Sequence, residues 1–103
     1  MAINSTYLST STTDIYTSSG ETAAMTFYFS NYSTSANVTF SLWAVKSGQL
    51  ASNLNVLYSN VAVQAGDTYV MDIERIFLDN GDSLRAYCSA NNSMSATLTY
   101  SQV

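Results

Sequence analysis

The sequence predicts an all-β protein: an antiparallel β-sandwich of about seven or eight short strands, Ig-like or jelly-roll in its wiring. Three observations carry that prediction. Alternating apolar and polar segments recur with turn signals about every 8 to 12 residues. The composition, with eight tyrosines, many Thr, Val and Phe and no proline, suits pleated strands better than helices. Finally, Ala65-Gly66-Asp67-Thr68 and Asn80-Gly81-Asp82-Ser83 repeat one turn chemistry, in which glycine supplies a positive φ and Asp and the hydroxyl residue open an extended run.

In chain order, residues 2–8 read as a first edge strand or an extended N-terminal arm, covering 1–13 with the hydroxyl tract that follows. The domain proper then spans 14–103. Ile15-Tyr16-Thr17 leads into the turn cluster Ser18-Ser19-Gly20. From Glu21 to Ser30 the period is two, with Ala23, Met25, Phe27 and Phe29 on one face and Ala24, Thr26, Tyr28 and Ser30 on the other. Residues 31–37 read as a polar loop. Val38 to Val45 turns Val38, Phe40 and Leu42 inward and Thr39, Ser41, Trp43 and Val45 outward.

Lys46 to Asn53 is a loop, and Leu54 to Val63 is extended with an irregularity at Ser59-Asn60, where a bulge is expected. Asp67 to Ile73 and Asp82 to Ala90 follow the twin turns, with Ile76-Phe77-Leu78 as an apolar cover between them. Asn91-Asn92 is a tight turn, because Asn tolerates left-handed geometry. Met94 to Tyr100 is the last strand.

A chain of 103 residues makes one domain. Only 10% of it is charged, the net charge is −4, and the cations are Lys46, Arg75 and Arg85. Binding to nucleic acid needs a basic patch, so nucleic acid is not an expected partner, and an acidic membrane surface would repel the chain. No stretch reaches the roughly 20 apolar residues of a membrane span. The first residues show neither the basic region nor the apolar core of a signal peptide, which predicts synthesis in a cytoplasm.

Histidine is absent, which removes the commonest general base and metal ligand and excludes Ser-His-Asp and Cys-His catalysis. Asp67, Asp72, Glu74, Asp79 and Asp82 crowd one span, but most occupy turn positions that favour Asp for backbone reasons. Asp79-Asn80-Gly81-Asp82 lacks the spacing and bidentate Glu of an EF-hand loop. No catalytic residue, metal site or cofactor is therefore expected. Cys88, the single cysteine, reads as a buried structural thiol. Four Asn-x-Ser/Thr matches, at Asn4, Asn31, Asn37 and Asn91, arise readily in so Asn- and Ser-rich a chain.

The run from Met25 to Tyr100 resembles small β-sandwich domains of tailed-bacteriophage virion proteins. The likeness rests on Val61 to Asp72, with a Gly-Asp turn and a strand closing on Asp, and on Leu78-Asp79-Asn80-Gly81-Asp82-Ser83-Leu84, which fits a Leu-x-x-Gly-Asp-Ser-Leu opening of the next strand. The resemblance implies a non-enzymatic structural protein of the virion, a capsid decoration (cement) or neck or tail accessory protein. Its implied partners are other copies of itself and capsid, neck or tail proteins, in an oligomeric assembly. Candidate interface residues are Ile3, Tyr7 and Leu8 in the N-terminal segment and the aromatics Tyr28, Tyr32 and Trp43. The same aromatics suggest the competing function, a carbohydrate-binding or adhesion module.

Overall fold

In the computed structural model, which describes residues 2–71 and 76–102, the chain forms nine strands in two antiparallel sheets. These are β1 (Ala2–Tyr7), β2 (Thr13–Thr17), β3 (Thr22–Asn31), β4 (Val38–Val45), β5 (Val56–Val63), β6 (Thr68–Met71), β7 (Ile76–Leu78), β8 (Ser83–Cys88) and β9 (Met94–Gln102). One sheet runs β1-β9-β3-β6, with β7 beside β6 on the same flank of β3; the other runs β2-β8-β4-β5. The expected strand at Asp67 to Ile73 appears as β6, and its last two residues lie outside the described residues. Ile76-Phe77-Leu78 is itself a strand, paired with Thr22–Ala24.

The pairings are nested. β4 pairs with β5, β3 with β6 and β7, β2 with β8, and β1 with β9. A long hairpin folded over so that successive pairs land in alternate sheets produces this order, and it is the wiring of a jelly roll rather than of an immunoglobulin domain. Between β1 and β2 the switch occurs within one peptide step: Leu8 N–H donates to Met94 O at 3.0 Å in the first sheet, and Ser9 O accepts from Cys88 N–H at 2.9 Å in the second.

The twin Gly-Asp motifs build the same device at opposite ends of the sandwich. In each, the Asp N–H donates to the carbonyl three residues back, Gln64 or Asp79, at 3.0 Å, and the glycine has φ of 80° (Gly66) or 89° (Gly81). Positive φ only at the third turn position is the type II pattern. Each turn then clasps one residue. Asn31 N–H donates to Asp67 O and Asn31 O accepts from Gly66 N–H, both at 2.9 Å; Ser18 N–H donates to Asp82 O at 2.8 Å and Ser18 O accepts from Gly81 N–H at 2.9 Å. Two residues opposing one, with glycine first in the left-handed region, is a G1 bulge.

Between the sheets lies one apolar slab. Phe27, Phe29, Phe40, Leu42, Leu84, Met94 and Leu98 are fully buried. The rings of Phe29 and Phe40, one from each sheet, stack with centroids 4.0 Å apart and planes 12° apart. Tyr16 meets Tyr100 across the sheets at 4.4 Å, and Tyr58 meets Tyr69 at 5.9 Å. The expected alternation in β3 is corrected here. Met25 is an extra residue between Ala24↔Tyr100 and Thr26↔Thr99, so the phase shifts and Ala24, not Met25 or Ala23, shares the core with Phe27 and Phe29. The irregularity expected at Ser59-Asn60 is present: the β4–β5 register shifts there, Asn60 has φ of 53°, and its N–H donates to Ser41 Oγ at 3.0 Å.

Asn31, expected in a loop, is the last residue of β3 and is buried. Its Nδ2 donates to Ala36 O at 2.8 Å and Val63 O at 2.9 Å, and its Oδ1 accepts from Ser33 N–H at 3.0 Å. Replacing it leaves buried carbonyls unpaired, each costing about 1–3 kcal/mol. Asn31→Ala is therefore expected to lower unfolding free energy by about 2–4 kcal/mol in urea titrations. The twin glycines separate two other costs. A Cβ on Gly66 meets nothing within 4 Å, so Gly66→Ala should lose about 1–2 kcal/mol from left-handed strain alone. On Gly81 a Cβ would lie 2.8 Å from Ser47 Oγ and 3.0 Å from its Cβ, so Gly81→Ala should unfold at clearly lower urea.

Candidate interaction surface

Strand alternation and register fix what the β1-β9-β3-β6 sheet shows to solvent. Outward rows run Ile3–Thr99–Thr26, then Ser5–Thr97–Tyr28–Val70, then Tyr7–Ser95–Ser30–Thr68. Hydroxyls in neighbouring strands pair along these rows: Ser5 Oγ with Thr97 Oγ1 and Ser30 Oγ with Thr68 Oγ1, both at 3.0 Å. Thr26 N–H donates to Thr99 Oγ1 at 3.1 Å beside the Met25 bulge. Ile3, Tyr7, Tyr28, Val70 and Phe77 are exposed on this sheet.

None of the five strands of this sheet contains Asp, Glu, Lys or Arg. The described charges sit on turns, at Glu21, Lys46, Asp67, Asp79 and Asp82, or on the opposite sheet, where Arg85 Nε donates to Asp14 Oδ1 at 2.9 Å. Asp72, Glu74 and Arg75 lie outside the described residues.

The candidate residues separate into three places. Ile3 and Tyr7 are 70% and 77% exposed on β1, and Tyr28 lies two strands away on the same outward face. Tyr32 follows β3 and meets Tyr7 edge-on, with ring centroids 6.1 Å apart. Tyr7, Leu8, Tyr32 and Asn92 line a shallow groove of about 450 Å³, and Tyr7 also borders one of about 270 Å³ along Ser5, Ser95 and Thr97. Leu8 is corrected: at 2% exposure it fills the core at the sheet switch and offers almost nothing to a partner.

Trp43 lies between the inward Leu42 and the core-packed Ala44, so its side chain takes the outward side of the other sheet, in register with Arg85. Tyr28 and Trp43 thus face opposite directions, and the three aromatics do not make one platform. Val70 and Phe77 belong to the exposed face but were not singled out by sequence. Val70's place between the inward Tyr69 and Met71 was a legible period-two signal, whereas Phe77 sat in what read as a cover.

Of the clustered carboxylates, Asp82 holds backbone. Asp82 accepts from Ser47 N–H through Oδ1 at 3.0 Å and from Asp79 N–H through Oδ2 at 3.1 Å. Asp67 adjoins the Asn31 end of β3 and Asp79 the Thr22 end, a strand length of about 30 Å apart. Among the described residues no three His, Cys, Asp or Glu side chains gather as metal ligands would. Two of the Asn-x-Ser/Thr matches are structural amides, since Asn31 is clasped as above and Asn4 Nδ2 donates to Ile15 O at 2.6 Å. No protein family, curated protein or solved structure matches the chain.

Cys88 is buried, and its thiol donates to Ala90 O at 3.0 Å. Burial pushes its pKa above the ordinary 9.0. A thiol raised by folding stabilises the protein at pH below its unfolded value, and the contribution is lost as pH rises through the folded one. The urea midpoint is expected to fall as pH rises above about 9, and Cys88→Ala should flatten the first part of that fall. A thiol reagent at neutral pH should label wild type no faster than the chain opens.

Proposed function

We propose that this chain is a non-enzymatic structural protein of a tailed-phage particle, a capsid decoration or neck or tail accessory subunit, that attaches through the outer face of the β1-β9-β3-β6 sheet. The observation that carries the reading is the absence of charge from all five strands of that sheet in a chain of net charge −4. Solvated faces usually spread their charges, whereas the centres of protein interfaces are depleted of them and enriched in aromatics. With β3 and β9 about 30 Å long, β1 and the β6–β7 flank about 20 Å, and strands about 4.8 Å apart, the face offers roughly 500 Å², the low end of what one partner gives to a specific complex. The Leu78 to Leu84 motif supports placing that partner in a virion, and jelly rolls recur in capsid proteins. Fold alone does not set function, so the face bears the weight.

Tyr7, Tyr32 and Asn92 around their groove favour a second reading, adhesion to an uncharged sugar, because aromatic rings with nearby hydroxyl and amide groups suit a pyranose. Co-sedimentation of labelled protein with purified particles lacking it tests both. Tyr28→Arg places a charge in the middle of the face and should weaken particle binding at least about tenfold, while Trp43→Ala on the opposite sheet leaves it intact. Binding to soluble glycans with none to particles would overturn the structural reading in favour of adhesion.

A further inference from the structure

Four strands or strand pairs bound the two sheets, and three of them carry devices that discourage another strand from adding. On β2 there is a register shift at Ile15 beside the charged Asp14. β5 carries two shifts and the left-handed Asn60. The third edge is made of β6 and β7, which are out of step with each other: from Phe27↔Met71 to Ala24↔Ile76 that edge advances five residues while β3 advances three. β1 has none of these: it pairs with β9 in six unbroken steps and contains no charge, glycine or proline.

The free side of β1 is defined by hydrogen-bond parity. Leu8 N–H donates to Met94 O, and hydrogen-bonded pairs alternate along an antiparallel ladder. The backbone groups of Asn4 and Thr6 therefore face β9. Those of Ile3, Ser5 and Tyr7 face outward, and their side chains lie on the uncharged face.

We infer that β1 pairs antiparallel with β1 of a second copy about a two-fold axis through Ser5, joining the uncharged sheets of two molecules into one. Self-complementarity points to a second copy as the occupant. With Ser5 opposite its own counterpart, Ile3 falls opposite Tyr7 of the second copy and Tyr7 opposite Ile3, so every outward backbone group of the three residues finds a partner. Shifting the register by two residues in either direction leaves some unpaired. The same register forms two aliphatic–aromatic cross-strand pairs on the exposed face, where such pairs stabilise sheets. Neither β1 nor its neighbour β9 brings a charge that would repel its copy. This deepens the assembly reading above by naming one of its contacts.

Cysteine substitution on the intact chain tests the register, because buried Cys88 does not compete. Under mild oxidation Ser5→Cys should form a disulfide-linked dimer, since facing Cα atoms of a hydrogen-bonded pair lie about 5.5 Å apart. Ile3→Cys and Tyr7→Cys should each form no disulfide-linked dimer alone and cross-link when mixed. Ser5→Lys, whose side chain and N–H both point away from the fold, should raise the dimer dissociation constant at least about tenfold in sedimentation runs. Hydrogen exchange should show Ile3, Ser5 and Tyr7 amides protected in wild type and open in Ser5→Lys, with β9 protected in both. A wild type that sediments as monomer, or Ile3→Cys linking to itself as readily as Ser5→Cys, overturns the inference. Particle binding by a strictly monomeric wild type would overturn the dimer and leave the assembly reading standing, and a dimer that ignores particles would do the reverse.

Discussion

The roll is held by two clasps, at Asn31 and at Ser18. Each is a buried polar residue gripped through both backbone groups by a Gly-Asp turn, one at either end of the sandwich. The slab of Phe27, Phe29, Phe40 and Leu98 supplies the driving force, at about 1.5–3 kcal/mol for each fully buried side chain. Burial is non-directional and would accept many ways of stacking two sheets. The clasps select one. The Asn31 clasp ties the end of β3 to the opening of β6, and the Ser18 clasp ties the end of β2 to the opening of β8, fixing two of the nested pairs.

Around Ser18 the clasp extends into a hydroxyl network. Ser18 Oγ reaches Gly20 O at 2.7 Å and Thr22 Oγ1 at 2.8 Å, and Thr22 Oγ1 also meets Tyr16 OH at 3.2 Å and Gln102 Nε2 at 3.0 Å. These groups are short and uncharged. They satisfy one another without the desolvation that a buried ion pair would cost. A chain in which one residue in ten is charged can therefore close both ends of its core and still leave the described strands of one sheet free of charge.

What sequence could show of this was set by how local each signal is. The glycines, the Asn60 irregularity and the Asn92 turn with φ of 56° are written in adjacent residues and were legible, whereas Ser41 and Val45, expected on the outward side of β4, are buried. Asn31 was not, because its three side-chain partners come from Ser33, Ala36 and Val63 and nothing next to it marks it as buried. Met25 failed for a different reason: a bulge inside an apolar run looks the same as continued alternation until a partner strand fixes the phase. Jelly-roll wiring was undecided for the same cause, since the pairing of β1 with β9 spans nearly the whole chain. In the interaction surface, Tyr7 and Tyr28 could be suspected as exposed aromatics, but their shared face, and the opposite facing of Trp43, follow only from register.

Nesting also decides how the fold meets mechanical force. Ala2 lies opposite Tyr100, so the two ends of the described chain leave the same end of one antiparallel ladder. Tension applied between them loads the β1–β9 hydrogen bonds one after another, peeling the ladder instead of shearing all its rungs together. Load entering across the sandwich faces meets the stacked aromatic slab and both clasps at once. The domain is compliant to pulling at its ends, and the β1–β9 ladder is the first part of it to open.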